Sequence, residues 1–226
     1  MNTSSRYLLM KESTYNGLLI LGTLKDNEEG YLEQLIETMN YSIEEYPRTY
    51  AIRVDLRLPS HGFLDDLTRD EAVSYNIRRT KLMSRFKDSL SEKIKAQGIR
   101  RKRMGKRAAQ CKVRYAWARE QDTSMHEHYH LVLLFNKDRF FTIGRYKQRD
   151  SLANLIIGAW RSALGCSEEQ ALGLVHFPIN HSYYIEKNSE YFAEQYSELF
   201  YRISYLAKKR TKRYGEGHRC FGCSTR

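Results

Sequence analysis

The chain is 226 residues long, a length that suits one compact unit with appendages, and its 41% hydrophobic and 12% aromatic content excludes wholesale disorder. Thirty-eight Lys and Arg against 27 Asp and Glu leave a formal charge of +11, which points to a polyanionic partner, either nucleic acid or an anionic membrane surface. No stretch reaches the roughly 18 apolar residues of a spanning helix, the opening residues lack the apolar core of a secretion signal, and four scattered cysteines do not make a disulfide framework. The expectation is therefore a cytoplasmic protein with reduced thiols and no membrane partner.

Periodicity gives the elements in order. Residues Glu28 to Ile43 have the pattern of an amphipathic helix. From Tyr50 to Leu58 the apolar Tyr50, Ile52, Val54, Leu56 and Leu58 alternate with Ala51, Arg53, Asp55 and Arg57, which predicts a strand with one apolar and one largely charged face. Thr68 and Glu71 form a capping-box pattern ahead of Val73, Ile77, Met83, Phe86, Leu90 and Ile94, a long helix expected to stop at Gly98. The basic block that follows, Arg100, Arg101, Lys102, Arg103, Lys106 and Arg107, is a candidate for phosphate contact; the bland alternative is a merely soluble loop. Lys112 to Glu120 and Glu127 to Phe135 alternate around the turn-compatible Gln121 to Ser124, as a β-hairpin does. Ser151 to Leu164 is helical in pattern, Gly173 to Ile179 strand-like, and Ser189 to about Lys209 helical again. That order suits an α+β fold with a central antiparallel sheet flanked by helices.

Chemistry concentrates in two places. His126, His128 and His130 fall within five residues, and the alternation of strand side chains puts His128 and His130 on one face while Tyr129, Leu131, Leu133 and Phe135 take the other. On the preceding strand Val113, Tyr115 and Trp117 form the apolar set, so Glu120 shares the polar face with Arg114 and the two histidines. Two imidazoles and a carboxylate make a three-ligand metal site with open positions, with His126 as the alternative to Glu120. A bare H-x-H is weak evidence by itself, since paired histidines also decorate half-exposed strands. Cys220 and Cys223 form a C-x-x-C pair, but a structural zinc site needs four ligands and the second pair is missing.

The second place is the last helix. Phe192, Tyr196, Leu199, Ile203 and Leu206 make its apolar stripe, while Tyr201, Tyr205 and Lys208 lie nearly opposite, with Lys212 one turn beyond. A phenol attacks poorly until a neighbouring cation or base assists it, and Lys208 is one turn from Tyr205. Most of the 17 tyrosines must nonetheless be ordinary packing residues.

Taken together, His128-Tyr-His130 with its hydrophobic continuation to Asn136, Arg53-Val-Asp-Leu56, Trp117-Ala-Arg-Glu120 and Ser204-Tyr-Leu-Ala-Lys208 resemble the HUH endonucleases that start rolling-circle replication. Within that superfamily the chain is most similar to the inovirus gene-two-type initiators and prophage relatives with a YagK/YfjJ-type C-terminal domain. Tyr129 departs from the bulky aliphatic residue more usual between the two histidines. The resemblance implies an HUH-like domain over residues 46–214, preceded by a helical extension (1–45) and followed by a tail (215–226). It implies that His128, His130 and Glu120 hold Mg²⁺ or Mn²⁺, that Tyr205 is the nucleophile with Tyr201 a second candidate, and that Lys208 steadies the phosphate or phenolate. The implied activity is nicking and rejoining of a single-stranded or hairpin origin of a phage, prophage or plasmid, through a 5′-phosphotyrosine link. Expected DNA contacts are Arg53, Asp55, Arg57, Arg114, the Arg100 to Arg107 block, and Lys209, Arg210, Lys212 and Arg213. A host polymerase and helicase are the expected partners, because no nucleotide-binding phosphate loop is present. The rival readings are a DNA-binding regulator that keeps the fold without nicking, and a two-histidine-one-carboxylate iron oxygenase, which would explain neither the charge nor the tyrosine helix.

Overall fold

The computed structural model describes residues 13–59, 68, 81–121, 127–210, 212 and 219–225. In chain order, a short hairpin of β1 (Ser13–Tyr15) and β2 (Leu18–Ile20) precedes helix α1 (Glu29–Glu45), strand β3 (Arg48–Arg57) and helix α2 (Leu82–Arg103). The antiparallel pair β4 (Arg114–Glu120) and β5 (His128–Asn136) follows, then helix α3 (Leu152–Leu164), strands β6 (Val175–His176) and β7 (Ser182–Glu186), helix α4 (Phe192–Ile203) and strand β8 (Phe221–Cys223). The expected α+β architecture is the one observed: an antiparallel sheet in the order β6-β3-β5-β4-β8, with β7 also pairing with β3 and helices on both faces.

Both faces of this sheet are buried, which corrects the expectation of a charged face on β3. On one side Ile52, Val54 and Leu56 join Leu131, Leu133 and Phe135 beneath Phe86, Leu90 and Ile94 of α2 and Ile156 and Trp160 of α3. On the other, Ala51, Ala116, Ala118, Val132 and Leu134 lie under Leu32, Leu35 and Met39 of α1 and Leu199, Phe200 and Ile203 of α4. The alanines in this second set are what let two helices seat on a face that also carries polar side chains. α1 is accordingly packed into the second core, on the sheet, and the C-terminal β8 is an edge strand of the sheet.

Helix α3 forms where the pattern predicts a helix, and both ends are capped: Ser151 at the N-cap accepts a hydrogen bond from the Asn154 amide at 3.1 Å, and Gly165 takes the left-handed conformation (φ 72°) at the C-terminus. Helix α2 does not stop at Gly98 but continues to Arg103, so the basic block begins as its last turn. Gly98 is accommodated because a guanidinium nitrogen of Arg139 lies 3.0 Å from where its Cβ would stand. Val73, Ile77 and Glu71 of the predicted helix lie outside the described residues. Among the described residues no helix is long and apolar enough to cross a membrane.

Candidate metal centre

The site forms where three adjacent strands end. In the register of the sheet, Asp55 of β3 and Ala118 of β4 both lie opposite His130 of β5, while Glu120 and Arg57 lie opposite His128. Side chains of one face therefore bring Asp55, His128, His130 and Glu120 together at the same edge of the second core.

Distances define the arrangement. The Nε2 atoms of His128 and His130 are 3.1 Å apart, and Glu120 Oε2 is 3.4 Å from His130 Nε2. Ligand atoms from Glu120, His128 and His130 all fall within 4.8 Å of one another, so these three residues make a candidate metal triad. Asp55 Oδ1 lies 2.6 Å from His130 Nδ1. In the neutral ring that contact favours the proton on Nδ1, so that Nε2 is the nitrogen a cation would take up between Glu120 and His128, as second-sphere carboxylates arrange for ligating histidines. Three electron-pair donors aimed at one small volume repel one another unless a proton or a cation lies among them, so the donor set fits a divalent ion bound by N and O. Burial disfavours the imidazolium of His130, but hydrogen bonds with Asp55 and Glu120 outweigh it and hold its pKa above the usual histidine value. Burial likewise pushes Asp55 up, and His130 and Arg53 more than reverse it, leaving the carboxyl below its ordinary range.

The tyrosine comes from the far end of the chain. After α4 the backbone tightens into a 3₁₀ turn over Ser204–Ala207, which directs Tyr205 inward; the continuous α-helix to Lys209 predicted from the pattern does not form. Tyr205 Oη donates to Glu120 Oε2 at 3.2 Å, and its ring meets His130 edge-on with centroids 5.2 Å apart. Lys208 Nζ sits 4.5 Å from the ring centroid. Burial, then the charge of Glu120, push the Tyr205 phenol up to about 12, so it is a neutral donor at ordinary pH. Tyr201, one turn earlier and 43% exposed, takes no part in these contacts.

The basic residues divide. Arg57, Lys209 and Arg210 are exposed at this end of the molecule. Arg53 is only 3% exposed; it lies behind Tyr205 with Nη2 3.3 Å from Asp55, so it is an internal cation rather than a groove residue. Arg114 is buried against Glu45 and the Thr225 carbonyl. Lys212 is buried too, donating to the Lys208 carbonyl beside the Tyr31 ring. These three are therefore corrected from ligand-facing to internal positions. Arg100 to Arg107 lie at the opposite end of the sheet, because Arg139, three residues beyond β5, bonds to Gln97 of α2. The length of β5 puts that end about 26 Å from His128. His126, Arg213 and His218 lie outside the described residues. Cys223 contacts Gln34 and Cys220 lies beside Arg119.

Two residues near the centre were not read as part of it: Asp55 as the partner of His130, and His176, whose Nδ1 is 3.5 Å from Asp55 Oδ2. Asp55 has a sequence signal in that it shares strand parity with Arg53 and Arg57; the pairing with β5 that gives it a role is long-range.

The fold and site define an α+β protein with a candidate three-ligand metal centre closed on one side by a half-buried tyrosine. The chain belongs to the YagK/YfjJ C-terminal domain family, whose description matches residues 10–224. Its relatives include the "uncharacterized protein YagK" of Escherichia coli strain K12, 39% identical over 194 residues that cover 86% of this chain and 91% of the relative. The "uncharacterized protein YfjJ" of the same strain is 33% identical over 197 residues, 86% of this chain and 93% of the relative. No solved structure matches.

Proposed function

We propose that the protein is an HUH-type endonuclease that nicks and rejoins single-stranded or hairpin DNA to initiate and end rolling-circle copying of a mobile replicon. The observation that carries this reading is the approach of Tyr205 Oη to within 3.2 Å of Glu120, itself grouped with His128 and His130. The candidate nucleophile lies some 75 residues or more beyond the metal ligands in the chain, and packing alone does not require a phenol to meet the His130 imidazole and the Glu120 carboxylate.

Glu120, His128 and His130 would hold Mg²⁺ or Mn²⁺, which supplies positive charge to polarise a non-bridging oxygen of the scissile phosphate. Asp55 fixes the His130 ring and its tautomer. Tyr205 is aligned by its hydrogen bond to Glu120, which also receives the phenolic proton as the oxygen attacks phosphorus in line. The bond to the 3′ oxygen breaks, that oxygen takes a proton from water to become the 3′-hydroxyl, and the 5′-phosphate stays on Tyr205. Lys208, over the ring, offsets the phenolate charge that develops on the way. Because one phosphodiester replaces another, the step reverses readily and the same residues rejoin the strand. The exposed Arg57, Lys209 and Arg210 border this end and suit a phosphate backbone.

The test is incubation with single-stranded origin DNA and Mn²⁺ or Mg²⁺, followed by a denaturing gel. A metal-dependent covalent adduct that disappears in Tyr205→Phe is the expected result. Binding without any adduct would favour the regulator that keeps the fold.

A further inference from the structure

Helices α2 and α3 pack side by side on the sheet face away from the metal centre, and between their outer surfaces runs a groove of about 1360 Å³. One wall carries Lys93, Ala96 and Arg100, one stripe of α2; the other carries Leu155, Gly158 and Arg161 of α3. Arg100 is paired with Asp150 and Arg161 with Glu168, which leaves Lys93, Lys147 and Arg149 as uncompensated cations on the rim among the described residues. Tyr146, 49% exposed, and Leu172, 84% exposed, add open apolar surface. Beyond Arg100 the exposed Lys102, Arg103, Lys106 and Arg107 extend the positive rim.

The cationic turn is held rather than loose. Asp150 adopts a left-handed backbone (φ 67°), unusual for a residue other than glycine, and is pinned there by Arg100 and by the Gln97 side chain, which donates to its carbonyl at 3.0 Å. Gly144, at φ 69°, starts the same turn against Ser151. Lys147 and Arg149 are thus presented from a fixed frame. At its other end the groove reaches Val175 of β6, and the next residue, His176, lies on the opposite face against Asp55, which holds His130. Among the described residues, a strand leaving the groove has the edge of β6 to round before it meets the metal centre.

We propose that this groove is a second binding site, for the single-stranded DNA flanking the scissile phosphate, with phosphates on the Lys93, Lys147 and Arg149 rim and a base stacked on Tyr146. The assignment of polymer rests on charge complementarity combined with an exposed aromatic, which suits unpaired bases. It deepens the nicking reading and depends on it for the identity of the strand.

The test uses the full chain and two fluorescent oligothymidylates, one of about 20 nucleotides and one of about six, too short to occupy groove and centre together. In EDTA, the triple variant Lys93→Glu/Lys147→Glu/Arg149→Glu is expected to bind the long strand at least about tenfold more weakly, with a salt slope lower by about 2. Tyr146→Ala is expected to lose about fivefold or more without changing the salt slope. Thermal melting of each variant establishes that it is folded. Unchanged affinity for the long strand in folded variants would overturn the groove. Tighter binding of a matched duplex through the same three cations would overturn the choice of single strand. Groove-dependent binding in a protein that never forms a metal-dependent adduct would reject the nicking reading and leave the groove standing.

Discussion

Removing the Asp55 carboxylate separates two things it does. Its Oδ1 holds His130 Nδ1 at 2.6 Å and lies 3.3 Å from the guanidinium of Arg53, which is 3% exposed. In Asp55→Ala the arginine keeps its charge and loses that partner, and stranding a buried ion typically costs about 3–5 kcal/mol. Asp55 itself is 17% exposed along its side chain, so water can reach part of the gap and the lower end, about 3 kcal/mol, applies. Replacing the arginine as well, in Arg53→Met/Asp55→Ala, removes the stranded charge and should recover about 2 kcal/mol or more of that loss. Metal affinity behaves differently: both variants free the His130 ring, and loss of such a partner typically weakens binding about 10- to 100-fold. Urea unfolding and Mn²⁺ titration calorimetry on the wild type and the two variants read the two effects independently. Because the native Asp55 pKa is lowered, its stabilisation is present above the unfolded value of about 3.9 and is lost as pH falls through the lower native value, so the stability gap to Asp55→Ala should close in acid. Wild-type Mn²⁺ affinity in Asp55→Ala, or an Arg53→Met/Asp55→Ala protein less stable than Asp55→Ala, would refute this reasoning.

Burial brings Lys212 down to about 8, from 10.5 in the unfolded chain, so its ammonium destabilises the fold below pH 8 and this penalty is relieved as pH rises towards 10.5. Lys212→Met should stabilise the protein by about 2 kcal/mol near neutrality, the shift being worth about 3 and the lost bond to the Lys208 carbonyl offsetting part. That advantage should vanish by about pH 10.5 in denaturant titrations, reflecting the unfolded lysine pKa. A Cβ on Gly222 would stand 2.7 Å from the Trp117 indole nitrogen, so Gly222→Ala should cost about 1–3 kcal/mol and raise exchange of the β8 amides; neither change is expected if the last strand is merely a tail.

The sequence carries the elements whose own periodicity suffices. Strand β3, the β4 and β5 pair and helix α3 each alternate or repeat over enough residues to fix their type. The parity argument also put Glu120, His128 and His130 on one face. The five-residue β7 and the three-residue β8 lacked that length, and both form by pairing with strands distant in the chain. The two-sided burial of the sheet was legible only in hindsight, in Ala51, Ala116 and Ala118: small residues where a solvated face would carry polar ones. Arg53 and Lys212 were misplaced because charge in a sequence reads as surface, whereas here each is enclosed by elements remote in sequence. Asp55 was grouped with DNA-facing residues for the same reason, as its partnership with His130 exists only in the register between β3 and β5.

Mapping the covalent product tests the central claim most directly. After reaction with single-stranded DNA and Mn²⁺, nuclease trimming and tryptic digestion, tandem mass spectrometry should find the nucleotide phosphate on Tyr205, and the unreacted DNA half should carry a free 3′-hydroxyl. A phosphate on exposed Tyr201 instead, or no modified tyrosine while the DNA is nonetheless cut, would contradict the account.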